Sequence, residues 1–132
     1  MDLSSLNYLP IIVGGIVYML YGGIYYSIVL SEKKKSTHKE FAANERKGPG
    51  KYIYSVITAF IISFFMAVLV QSIGADTLGT GLGMGFIIGL LITLVYLKNS
   101  LFGLMSRKSF FIGIGDHLVI FTVLGAIHGI LN

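Results

Sequence analysis

YIYSVITAFIISFFMAVLVQSI, residues 52–73, followed by GADT at 74–77 and LGTGLGMGFIIGLLITLVYL at 78–97, is the stretch on which the fold turns. Neither long run contains a charged residue. Each is about twenty residues long, the length at which a helix rising 1.5 Å per residue crosses the roughly 30 Å hydrocarbon layer of a bilayer. In that layer every backbone group must bond within its own segment, so such runs read as helices despite their many β-branched residues. They lack the alternation of barrel strands and are too long for them. The four residues between them leave room only for a tight reversal, with Ala75-Asp76-Thr77 as turn chemistry. The stretch reads as a transmembrane hairpin.

Working outward, two further apolar runs at 10–30 and 110–131 complete the set. Pro10 suits the first turn of a helix, where its missing N–H would be unpaired anyway. The 132-residue chain is expected to be one all-α domain, an integral membrane four-helix bundle with spans at about 10–30, 52–73, 78–97 and 110–131. Composition agrees: 55% of residues are hydrophobic, above the 45–50% usual in soluble domains, and the mean hydropathy is +0.81. Met1-Asp2-Leu3-Ser4-Ser5 has an acid where a signal peptide is basic, and the run after it is too long for a signal core. That run is expected to be a retained span.

The ten Lys and Arg residues fall in two stretches, seven at 31–51 and three at 98–109, with none at either end of the chain or at 74–77. The positive-inside rule then places both basic loops in the cytoplasm and both termini outside, in the cytoplasmic membrane. Tyr25, Tyr26, Tyr52, Tyr54 and Tyr96 fall at the same boundary, the depth amphipathic rings favour. So one-sided a bias argues against insertion in both orientations. The net charge of +4 does not indicate nucleic acid, because the basic residues flank apolar spans instead of covering a soluble face. Lys33, Lys34, Lys35, Arg46 and Lys47 read as a solvated topology anchor or as a contact for anionic lipid headgroups or a membrane partner. Gly48-Pro49-Gly50 must interrupt any helix before the second span. Without cysteine there is no disulfide and no thiolate site.

Within the spans, Gly81, Gly85 and Gly89 share a face at four-residue spacing, and the fourth span adds Gly125 and Gly129. Small residues so spaced let helix backbones approach closely where lipid supplies no hydrophobic drive. The ridge reads as packing within one bundle, as a subunit interface, or as a pore lining. Gly14, Tyr18, Tyr21 and Tyr25 lie on one face of the first helix. Their hydroxyls need partners when buried, which makes the stripe either interhelical glue or the wall of a polar path. Ile73-Gly74-Ala75 and Leu124-Gly125-Ala126 hint at a two-plus-two repeat.

Asp116, followed by His117, is the only acid inside a span. A charge at mid-bilayer costs about 2.5–3.5 kcal/mol on insertion scales, so it needs a reason. Asp116 is either a structural group, paired with Lys98, Arg107 or Lys108 or bonded to a tyrosine, or a proton- or cation-coupled site. His117 and His128 share a helix face but stand roughly 16 Å apart, too far to bind one metal. No metal, no cofactor and no catalytic set is expected, and the chain is read as a non-enzyme.

Two patches together resemble a known family. Gly22-Gly23-Ile24-Tyr25-Tyr26-Ser27 is similar to a Gly-x-x-Trp-Tyr-Ser stretch. Asn99 to Phe102, Arg107, Asp116-His117-Leu118 and Leu124-Gly125-Ala126-Ile127 resemble the same family's C-terminal half. It is the family of small bacterial membrane proteins catalogued as domain of unknown function 1761. Tyr25 stands where that family has tryptophan, and Ile28-Val29-Leu30 lacks the proline and Phe-Gly that tend to follow. The resemblance implies a four-helix membrane protein with no assigned activity. It marks Tyr25, Tyr26, Ser27, Asn99 and His117, which directs attention to the cytoplasmic end of the bundle.

The leading expectation is a homo-oligomeric transporter or channel component. Asp116 and His117 would be its proton or cation station, with Tyr21, Tyr25, Tyr26 and Asn99 along the path. The rival is a non-transporting protein that binds lipid or a larger membrane partner through the basic loop and the glycine face.

Overall fold

The computed structural model describes the backbone of residues 3–35 and 48–132, with side chains for 3–29 and 48–132. Among the described residues, one 3-10 turn at Leu3–Ser5 is followed by four helices: α1 (Leu9–Lys35), α2 (Gly50–Ser72), α3 (Leu78–Leu101) and α4 (Arg107–Leu131). All four are long and apolar enough to cross a membrane. The chain is a multi-pass α-helical membrane protein.

Local chemistry sets the helix ends. Thr77 and Thr80 form a reciprocal capping box at the start of α3, and Ser106 accepts from the Ser109 N–H to cap α4. Gly74 (φ +69°) and Gly103 (φ +79°) close α2 and α3 in left-handed turns. There Ala75 N–H donates to the Val70 carbonyl, and Leu104 N–H to that of Asn99. α3 and α4 reach past the expected ends at 97 and 110, so the connection between them shrinks to residues 102–106. A basic side chain near a helix end can lay its stem along the span and hold its charge in the headgroup layer, so Lys98, Arg107 and Lys108 need not stop a helix.

The bundle is organised around α4. Its Ile120, Phe121 and Leu124 form the main core with Met66 and Val70 of α2 and Ala75 of the turn. α1 packs on both α2 and α4, whereas α3 rests on α4 with at most marginal contact to α1 and α2. A Cβ at Gly81 would collide with the Gly125 carbonyl, one at Gly85 with that of Phe121, and one at Gly89 would sit 3.1 Å from the Leu118 backbone. Gly125 and Gly129 answer from α4, so the expected ridge is occupied within one chain. The two tripeptides that hinted at a repeat occupy different local settings, because Gly74 is a left-handed cap and Gly125 a packing residue inside a helix.

α2 is held at one end only. Tyr52 to Ile57 are all exposed, and six consecutive helical residues cover every direction around the axis. Among the described residues, no neighbour covers any face of this first part of α2. The remainder is buried at Ala59, Ser63, Met66, Ala67 and Val70. At that end Asn7 donates its backbone N–H to Gln71 and its side-chain amide to the Leu131 carbonyl, while Asn132 donates to the carbonyl of Ala75. Both termini and the α2–α3 turn are thus knotted together at one end of the bundle.

Candidate functional site

Hydroxyls in hydrocarbon need acceptors, and most here find them on their own helix. Ser27, Ser55, Thr93 and Thr122 each donate to the carbonyl four residues back. The side chains that instead bond between helices define two polar stations on α4.

The larger station is built on Phe111-Ile112-Gly113-Ile114-Gly115-Asp116-His117. Two glycines here admit tyrosines from both neighbours. Gly113 makes room for the ring of Tyr96 from α3, and Gly115 for the hydroxyl of Tyr25 from α1. Tyr25 donates to the Ile112 carbonyl and Tyr21 to that of Gly115, each at 2.6 Å. Their rings stack at 5.7 Å, and Tyr26 meets Tyr25 edge-on at 5.5 Å. Tyr26 donates its hydroxyl to Asp116 Oδ2 at 2.6 Å. Across the helix, His117 Nε2 and the Tyr96 hydroxyl are 2.9 Å apart. Tyr18 lies within electrostatic reach of both Asp116 and Tyr96.

Asp116 is only 5% exposed. Its Oδ1 is buried without a hydrogen-bond partner, as is His117 Nδ1. Neither Lys98 nor Arg107 pairs with the acid among the described residues. The tyrosine-bonded alternative is the one the structure realises, and the bonded tyrosine is Tyr26, outside the Tyr18–Tyr21–Tyr25 stripe. The remaining oxygen is an acceptor with nothing to accept, inside a cluster of phenol rings and beside an imidazole. Chemically this can take up a proton or a cation.

The smaller station lies toward the termini. Ser63 of α2 donates to the Ile11 carbonyl at 2.8 Å and faces His128 Nε2 at 3.1 Å. With its own hydrogen committed to Ile11, Ser63 accepts from His128, which fixes the imidazole as the Nε2–H tautomer. His128 Nδ1 is then a bare acceptor, fully buried and unpartnered. Gly14 leaves the space this pair needs, since a Cβ there would strike Ser63 and come within 3.0 Å of His128 Nε2. Twelve residues of α4, about 18 Å, separate Asp116 from His128. On α4 the interval holds Ile120 and Leu124, both fully buried. An apolar layer divides the two stations.

Of the residues singled out from sequence, Asp116, His117, Tyr21, Tyr25 and Tyr26 converge on one place. Asn99 sits in the last turn of α3, and among the described residues no side-chain bond joins it to the cluster. Lys33, Lys34 and Lys35 end α1 with side chains outside the described residues; Arg46 and Lys47 lie outside them altogether. Gly113, Gly115, Tyr96 and Ser63 were not expected in a site. The available signals were the Gly-x-Gly directly ahead of the acid and a serine in mid-span.

The model of a family described as a protein of unknown function, DUF1761, matches residues 9–129. No curated protein and no solved structure matches the chain.

Proposed function

The chain belongs to the DUF1761 family, and we propose that it is a proton- or cation-linked transporter or channel component of the cytoplasmic membrane, working as a homo-oligomer and not as an enzyme. The observation that carries this reading is Asp116, a carboxyl that is 5% exposed, held through one oxygen by Tyr26 and unpartnered at the other. An acid placed in a span against its insertion cost is a functional-site candidate by default, and among the described residues no basic side chain pairs with this one, whose second oxygen stays open. His117, with Nδ1 equally free, is the neighbouring station. Association of copies supplies what one chain lacks, because the layer at Ile120 and Leu124 seals the single bundle. Since α4 fills the glycine ridge, copies would meet through lipid-facing helix surfaces. In proteoliposomes carrying a pH-sensitive dye, Asp116→Asn should assemble normally and abolish ion-linked proton movement. Flux at the parental rate in that variant would make Asp116 structural.

The apolar layer also favours a second reading, a non-transporting protein that binds anionic lipid or a membrane partner through Lys33, Lys34, Lys35, Arg46 and Lys47. Replacing Lys33, Lys34 and Lys35 by glutamine separates the two. Vesicle-lipid binding collapses under the second reading, while flux is little changed under the first.

A further inference from the structure

The geometry points to an organic cation, a substituted ammonium or similar amphiphile with an apolar body, as the ligand of the Asp116 station. This inference rests on the cation-linked reading above and names its substrate class. The charge comes from Asp116 Oδ1, buried and without a partner. The rings come from two sides: Tyr26 of α1 bonds Asp116 itself, Tyr21 and Tyr25 of α1 bond the backbone carbonyls just before it, and Tyr96 of α3 bonds the adjacent His117. Aromatic faces attract a desolvated cation, and a ring cluster around one carboxylate suits a charge spread over carbon better than a small metal ion, which needs several oxygens. The Ile112 and Gly115 carbonyls, which a metal ion would otherwise recruit, are already taken by Tyr25 and Tyr21.

Access follows from α2. α2 and α4 run parallel and meet where Ser63 faces His128. Twelve residues before that meeting, α4 has reached Asp116 and α2 has reached Lys51. At this level Tyr52 to Ile57 of α2 stand exposed on all sides, so among the described residues α2 does not cover this flank of the cluster. Tyr26 bridges outside and inside: it is 43% exposed, yet its hydroxyl holds the buried carboxylate. A cation arriving by this route meets the Tyr26 ring first and replaces the hydroxyl, or the carboxyl's own proton, at Asp116. When the proton is replaced, the cation pairs with the carboxylate and the proton leaves to water. The titratable groups around Asp116 are Tyr18, Tyr21, Tyr25 and Tyr26 from α1, Tyr96 from α3 and His117 from α4. Among the described residues α2 adds none to the cluster.

The probe is tetraphenylphosphonium, titrated into the detergent-purified full chain in weak buffer, with cation binding and proton release measured together. Saturable binding with release of up to one proton per cation is expected. Asp116→Asn should abolish it and Asp116→Glu retain it. Loss of the ring in Tyr26→Leu should weaken binding roughly 5- to 30-fold, and Tyr26→Phe, which keeps the ring, much less. Elution volume and melting temperature of each variant separate lost binding from lost folding. Binding indifferent to Tyr26→Leu and Asp116→Asn overturns the assignment. If tetraphenylphosphonium does not bind while Asp116-dependent proton flux persists, the organic-cation inference falls and the proton-linked reading stands. Absence of both binding and Asp116-dependent flux removes both.

Discussion

At the residue scale, the chemistry of this protein is concentrated in a carboxyl that one tyrosine half satisfies. An intramolecular hydrogen bond contributes about 0.5–1.5 kcal/mol net, and removing the donor leaves the buried acceptor exposed to its full desolvation cost. Tyr26→Phe should therefore lower the melting temperature in detergent, and Asp116→Asn in the same background should recover part of the loss by replacing the orphaned carboxyl. A Tyr26→Phe variant as stable as the parent would show that the bond contributes nothing to the fold. Gly115 is the second test at this scale. A methyl group there meets the Tyr25 hydroxyl, and overpacking of this kind costs about 1–3 kcal/mol. Gly115→Ala should destabilise, and Gly115→Ala with Tyr25→Phe should cost less than the two single changes summed, because the removed hydroxyl is the group in the way. Additivity in thermal or denaturant unfolding would refute the contact. Asp116, His117 and the tyrosine stripe were legible in the sequence because an acid in a span and a period near 3.6 are both visible there. Which tyrosine reaches the acid was not. That depends on the rotation of α1 against α4, at whose contact Gly115 admits the Tyr25 hydroxyl.

At the scale of elements, the α3–α4 pair is where backbone meets backbone. The ridge Gly81, Gly85, Gly89 announces close approach from its spacing alone, but spacing carries no information on the partner. The structure supplies it: the Gly125 and Phe121 carbonyls and the Gly129 backbone lie where side chains at Gly81 and Gly85 would go. Because the obstruction is backbone and cannot rotate aside, even alanine forces the helices apart. Gly85→Ala should cost more stability than Gly83→Ala, since Gly83 has nothing within 4 Å of its would-be Cβ. Equal melting temperatures for the two variants would mean that α3 does not pack on α4 as described. The helix ends show the converse limit. Charge patterning located the connections, yet α3 and α4 ran on through their basic residues, because Thr77 and Ser106 caps and Gly103 decide where a helix begins and stops.

At the scale of the molecule, the polar ties of Asn7, Gln71 and Asn132 gather both termini and the α2–α3 turn at one end, while the basic residues Lys98, Arg107 and Lys108 lie at the other. This is the arrangement that four crossings and the positive-inside rule jointly require. The ties themselves were hidden in the sequence, since Asn7 and Gln71 are ordinary polar residues until folding brings them together across 64 positions. The chain contains no cysteine, which makes its sidedness directly testable. Single cysteines at Ser5 and Asn132 should be labelled in intact cells by a membrane-impermeant maleimide. Cysteines at Ser106 and Lys39 should be labelled only after lysis. Labelling of Ser5 and Asn132 from opposite sides would break the even number of crossings. Labelling of all four positions in intact cells would mean that the chain inserts in both orientations, and the ten-to-none distribution of basic residues would then not be what orients it.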